Sequence, residues 1–353
     1  MCINIASVVI LISSLGQLSD FLRDESFISL RTYRKFWHKM YSTVPLTEDD
    51  EKQHLVITSS LEIELSNNDN DIKQDIYKEE DDDIKGIDSN DINILALIKL
   101  IIKRAAPVCI GYISSFANSF ISMTFAGHIK DNNIKTSDIF AGISLASMFT
   151  NVSFLSLILG MSSAIDTLAS QNYGSCNYRE VGIILQRSIL ISLLMAIPLS
   201  ISWFYSESIF IALGVDSIVA YVIQSYLYIR ILSMPIDIII ISYEKYLSAI
   251  GVVNPPMYSN IIQNITLVIS NYILIHVYNF GFRSLAISWV IASSAACITM
   301  IITSYKQQPV LKTLLYTIHY DSFKYWYNFI ALGIPATVML CSEWWAFEVS
   351  FMK

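Results

Sequence analysis

The chain has 353 residues, 54% of them apolar, a mean hydropathy of +0.50 and a formal net charge of −7. That is too oily for one soluble domain of this length. Acid concentrates before residue 92, as in Glu48-Asp49-Asp50-Glu51 and Glu79-Glu80-Asp81-Asp82-Asp83, and no basic stripe exists to meet a phosphate backbone, so no nucleic-acid partner is expected.

In chain order, residues 3–15 are apolar but shorter than the roughly 20 residues a spanning helix needs. Without a basic flank or a small-residue cleavage site they read as an interfacial helix or apolar tail rather than a signal peptide. Residues 1–90 as a whole read as a disordered acidic cytoplasmic extension, too poor in apolar surface to offset ordering entropy, with at most short helices near 26–41. The basic-aromatic stretch from Arg31 to Lys39 reads as a solvated charge run, with contact to anionic lipid as the other reading.

From Ile92 onward apolar segments alternate with polar breaks. Helices are expected at Ile94–Ala126, Ser137–Ser170, Val181–Tyr205, Ser217–Ile250, Met257–Tyr278, Arg283–Tyr305 and Tyr325–Met352, each long enough to cross a bilayer. Asp131-Asn132-Asn133, Gly251 to Pro256 and Asn279-Phe280-Gly281 supply the breaks. Open strand edges cannot be satisfied in hydrocarbon, so the fold class is all-α, a polytopic membrane protein. The expected domains are 1–90, a six-span lobe over 91–305, and a linker with a seventh span over 306–353. With a cytoplasmic N-terminus, inside flanks carry Lys99, Lys103, Arg104, Arg179, Lys245, Lys306, Lys312 and Lys324, and outside flanks only Lys130, Lys135 and Arg283. That asymmetry favours N-inside.

Five scattered cysteines without CxxC or Cys/His spacing suggest neither a disulfide framework nor a metal site. The sequons at Asn151 and Asn264 fall inside expected spans and read as chance matches. No Walker A sequence or nucleophile–base pair is present, so no enzyme activity and no cofactor are expected. Small residues such as Gly142, Ser144, Ala146 and Ser147, and those from Ala292 to Ala296, read as helix-packing surfaces.

Three groups of side chains are candidates for chemistry. The first is Glu343, inside an aromatic and apolar run with Trp344, Trp345 and Glu348. An ionised carboxylate in hydrocarbon costs several kcal/mol and is usually kept for a proton, an ion or a cationic substrate. Met339 and Phe347 share the face of Glu343, Glu348 lies about 140° around the helix, and Pro335 can bend it. The second group is Asp166, Arg187 and Gln171. Asp166 and Arg187 sit about 9–12 Å from the turn joining their helices, so an inter-helix ion pair is expected, as scaffold or inner gate, with Gln171 and Gln186 bonding the same helix ends. The third is Arg230, Asp237 and Glu244, spaced by seven on one stripe, which either line a water-filled cavity or neutralise one another.

Two motifs carry a resemblance. The run from Gly333 to Glu348 resembles a signature of the multidrug and toxic compound extrusion (MATE) transporters, in their eukaryotic branch, where the glutamate before the paired tryptophans is a substrate and proton site. A second signature agrees, from Gly160 through Asp166, Thr167 and Gln171 to Gly174, followed by Leu185-Gln186-Arg187. The resemblance runs from about Ile94 to the end. It implies a fold of two six-helix lobes around a central cavity open to alternate sides. It also implies secondary antiport, exporting small cationic or hydrophobic compounds across the lipid bilayer in exchange for protons or sodium. The first six spans correspond to one lobe, and the span with Glu343 opens the second. The sequence then stops at Lys353, so a truncated form, inactive alone, or a non-transporting membrane fragment is also expected. A seven-helix receptor is suggested by span count alone. The first helix has no carboxylate between Ala105 and Gly127, where many prokaryotic members hold a proton site, which throws weight onto Glu343.

Overall fold

A computed structural model describes residues 94–129, 134–314 and 319–351, with the side chains of 94–101, 103–104 and 347–351 outside the description. The expectations for residues 1–90 therefore lie outside the described residues. The chain divides into two units, 1–101 and 102–353. Of the first unit only the opening turns of a helix are described, and the architecture is that of the second.

Among the described residues there are helices and turns but no strand, and seven helical stretches are long and apolar enough to cross a membrane. The first is α1 (Ile94–Ala126). The second span is composite: α2 (Thr136–Thr150), a wide π turn at Asn151–Leu155, α3 (Ser156–Ser162) and α4 (Ala164–Gly174). Its irregularity has a local cause. Thr150, Ser153 and Ser156 turn their hydroxyls back onto the carbonyls of Ala146, Phe149 and Val152 at 2.9, 2.6 and 2.9 Å. Such back-bonding competes with the amide ladder and loosens a helix. The third span is α5 (Tyr178–Phe204), followed by a short α6 (Ser206–Ala212) that hydropathy did not reveal.

The fourth span breaks in its middle. α7 (Ser217–Arg230) is capped by the Asp216 carboxylate, which accepts from the Ile218 amide at 2.8 Å. A 3-10 turn at Ile231–Ser233 follows, and α8 (Met234–Ala249) starts with Pro235 in its first turn, where a proline's missing donor costs nothing. The fifth span is α9 (Asn254–Tyr272) with a second π turn at Ile273–Val277, and the sixth is α10 (Arg283–Ser304). A linker carries α11 (Gln308–Thr313) and a 3-10 turn at Tyr320–Phe323, and α12 (Trp326–Phe351) is the seventh span.

Helices meet closely where side chains are small. A Cβ on Gly142 would lie 2.6 Å from Val222 Cγ1, so α2 and α7 touch almost backbone to side chain. The apolar core forms two clusters. One gathers Ile143, Phe154, Trp203 and Ile223, with Trp203 edge-on to Phe154 and donating to Ser153 Oγ at 2.9 Å. The other, at the linker end, gathers Ile165, Ile184, Tyr246 and Phe329.

Candidate functional site: the seventh span and the polar clusters facing it

α12 has two faces. Phe329, Gly333, Thr337 and Cys341, four residues apart, are all buried. They form the stripe that packs on α3: a Cβ on Gly160 would lie 2.9 Å from Thr337 Cβ, and Cys341 Sγ donates to Ser156 Oγ at 3.4 Å. Glu343 is two residues past Cys341, about 200° around the helix, and so faces away. It shares that outer face with Met339 and Pro335, both exposed. Glu343 itself is exposed and makes no hydrogen bond or ion pair with a described residue. Trp344 is half-buried. Trp345 is held in place by its Nε1–H donating to the Val152 carbonyl at 3.2 Å, at the wide turn of the second span. Glu348 lies on the same helix, with its side chain outside the described residues.

The expected Asp166–Arg187 pair is not formed. Asp166 lies in the first turn of α4, after the turn at Ser163, and pairs with Lys245 of α8 at 2.7 Å, with 42% of its side chain exposed. Arg187 turns inward, 5% exposed, and its Nη2 donates to Glu180 Oε1 and to the Asp321 carbonyl, each at 3.3 Å. Depth along two helices had suggested the pairing, but depth leaves azimuth free, and these side chains leave their helices toward different neighbours. Gln171 is exposed and takes no part. Gln186 does, though on the linker: its Oε1 accepts from the His319 amide at 2.9 Å and from Ser322 Oγ at 2.7 Å.

Around that contact the linker turn is held by charge. Arg179 reaches Asp321 Oδ2 at 3.3 Å and His319 Nε2 at 2.7 Å, and Lys324 reaches Asp321 Oδ1 at 2.9 Å. The hydrogen bond from Lys324, then the charges of Lys324, His319 and Arg179, hold the Asp321 carboxyl below its ordinary range, and Asp321 in turn raises Lys324. Nearby, Tyr243 and Ser304 share a hydrogen bond of 2.8 Å, and Tyr246 bonds Thr313 of α11.

Arg230 and Asp237 do meet, across the 3-10 turn. Their closest approach is 3.8 Å, an ion pair too long for a hydrogen bond. Asp237 also accepts from Ser233 Oγ and from Ser293 Oγ of α10, each at 2.9 Å, and the guanidinium carbon lies 4.2 Å from the Trp289 ring centre. Two of the three charges thus sit within ion-pair distance of each other. Glu244 is half-buried and makes no hydrogen bond or ion pair with a described residue. A depression of about 560 Å³ opens at the end of the bundle away from the linker, lined by Tyr221, Phe280, Phe282 and Arg283, and none of the three candidate groups borders it.

α1 is held differently again. Asn118 Nδ2 donates to Gln263 Oε1 at 3.1 Å, Asn264 Nδ2 to the Ser114 carbonyl at 2.7 Å, and Asn260 Nδ2 to the Gly111 carbonyl at 3.4 Å. The amide of the sequon residue Asn264 is thus engaged with a neighbouring helix.

Residues 107–273 match the MatE family. Multidrug and toxin extrusion protein 1 of Rattus norvegicus is 31% identical over 262 residues, and that of Homo sapiens 30% identical, each alignment covering 72% of this chain and 44% of the relative. Multidrug and toxin extrusion protein 2 of Pongo abelii is 30% identical over 253 residues, 69% of this chain and 41% of that protein. The chain thus spans less than half the length of these relatives. The crystal structure of the eukaryotic MATE transporter AtDTX14 superposes with a TM-score of 0.66 at 22% identity, covering 72% of this chain and 55% of that one. An outward-facing MATE transporter superposes with a TM-score of 0.57 at 12% identity, covering 69% and 52%. At these identities the structural likeness speaks for the fold.

Proposed function

We propose that this chain, which belongs to the MATE family of multidrug and toxin extrusion transporters, serves secondary antiport, with Glu343 as the carboxylate over which a proton and an organic cation compete. The relatives are named for drug and toxin extrusion, and small cationic or hydrophobic compounds are the substrate class this reading takes, with protons as coupling ion and sodium as the alternative. The N-terminus lies on the cytoplasmic side in this reading, because the basic residues flank the spans on that side. A seven-helix receptor, which span count alone suggested, is set aside by family membership.

The observation that carries the proposal is the geometry of α12. A carboxylate in an apolar span, turned away from the seam that anchors its helix and without a partner among the described residues, stays favourable only beside water, a proton or a cation. The indole of Trp344, the next residue, offers a ring for cation–π contact on the adjoining face, while Trp345, four residues past Cys341, stands on the seam side, fixed by its bond to Val152. Pro335, two turns earlier on the same exposed face, gives the helix a place to bend. Protonation of Glu343 removes the attraction for a cation, so acid on one side of the membrane releases the cation there.

The test is proton-coupled movement of a fluorescent organic cation in membranes containing the protein. Glu343→Gln abolishes the pH dependence and lowers export at least about tenfold, the weight of one charged contact, while Glu343→Asp keeps part of both. Export by Glu343→Gln with its pH dependence intact would end the assignment.

A further inference from the structure

We propose that Gln186 and Arg187 are positioning residues for this exchange: they latch the linker turn His319–Phe323 onto α5 and so set the attitude of α12 and Glu343. This role rests on the antiport reading, but separate contacts support it. Gln186 Oε1 takes two donors from the turn, the His319 amide and Ser322 Oγ. Arg187, nearly buried, takes the Asp321 carbonyl. The turn passes this hold directly to α12, because the Ser322 carbonyl accepts from Trp326 Nε1 at 2.8 Å in the first turn of that helix.

Burial does not explain why the turn stays in place. Tyr320 is 74% exposed, Tyr325 70% and Phe323 55%, so its large apolar side chains contribute little, whereas Ser322 is fully buried at the Gln186 contact. A segment held by a few polar contacts, without a core of its own, opens at low free energy. A second observation points the same way. Tyr325, between the turn and α12, has φ of 56°, a left-handed backbone that a bulky residue adopts only where its surroundings enforce it. With the latch open, the turn and the start of α12, still joined by the bond between Trp326 and the Ser322 carbonyl, are free to move together away from α5. Arg179 of α5 adds a more exposed contact to Asp321 and His319, and Lys324 pairs with Asp321 within the turn itself.

The experiment measures amide hydrogen exchange at residues 319–323 in the intact chain in lipid nanodiscs, beside transport of the same fluorescent cation. Gln186→Leu removes the acceptor and should speed exchange at the turn about tenfold, leaving α7 and α8 unchanged. Turnover falls while the half-saturating cation concentration stays within about twofold, as befits a residue that touches no substrate. Gln186→Glu keeps the acceptor oxygens and restores both readouts. Where Gln186→Leu does not fold, Ser322→Ala removes one of the two donors and should speed exchange about threefold. Unchanged exchange at the turn in either variant overturns the latch, as does a freed turn with normal turnover. The two readings separate cleanly: if Glu343→Gln transports normally while Gln186→Leu frees the turn and slows turnover, the role of Glu343 fails and the latch stands.

Discussion

The third span buries 56% of its most apolar window inside the chain, the first only 17% and the seventh 22%. All three are apolar enough to insert, so hydropathy says where a helix sits and little about what it sits against. The means of attachment differ accordingly. α5 runs through the core, α12 is fastened by one stripe of small residues pressed on α3, and α1 hangs on side-chain amides from α9. In hydrocarbon no hydrophobic force drives helices together, so close packing and polar contacts are the two remaining adhesives, and this molecule uses them on different helices.

If that contrast is right, damage should scale with how completely the protein encloses the contact. The largest effect is expected at Arg230, whose removal leaves Asp237 charged among buried groups. Arg230→Met should cost about 3–5 kcal/mol in detergent unfolding, and Arg230→Met with Asp237→Leu should regain most of it. A single variant as stable as the wild type would mean that the pair is solvated and belongs to a cavity after all.

The seam of α12 comes next. Gly160→Val drives two methyl groups into Thr337 and should cost about 1–3 kcal/mol by thermal unfolding, with α12 displaced rather than the bundle lost. Limited proteolysis after the linker distinguishes the two, because displacement exposes only the seventh span.

How much of this could be read beforehand varies by the kind of information. The spans were legible to within about four residues at either end, since runs such as Arg283–Ser304 are mostly apolar and are flanked by Asn, Gly or Pro. The stripe Phe329, Gly333, Thr337 and Cys341 is equally visible in the sequence as residues at every fourth position, three of them small. Partner choice was not legible. Asp166 found Lys245, and Arg187 found the linker, because a helical period fixes a side chain's height and its angle on its own helix but not the placement of neighbouring helices. The docked turn His319–Phe323 was hidden for another reason: two of its contacts, the His319 amide to Gln186 and the Asp321 carbonyl to Arg187, use backbone groups, which every residue carries.

The smallest effect is expected where the amides bind α1. A double-mutant cycle of Asn118→Leu and Gln263→Leu should return a coupling of about 0.6 kcal/mol in unfolding from bicelles, the usual worth of one such bond in a membrane. A coupling above that of the α12 seam would invert the ranking and make α1 the firmer of the two outlying helices.

The wide turn at Asn151–Leu155 works as a phase shifter. Gly142 and Gly160 are eighteen residues apart, and at 100° per residue an unbroken helix would return them to the same side after five full turns. They instead serve different partners, Val222 of α7 and Thr337 of α12. One residue's worth of slack in the turn rotates α3 against α2 by about 100°, so a single continuous span can address two neighbours. The same slack leaves the Val152 carbonyl where Trp345 collects it. Deleting any one residue from 151–155 would make the helix more regular and the protein less able to hold its seventh span: here the irregularity is the part that keeps the angles right.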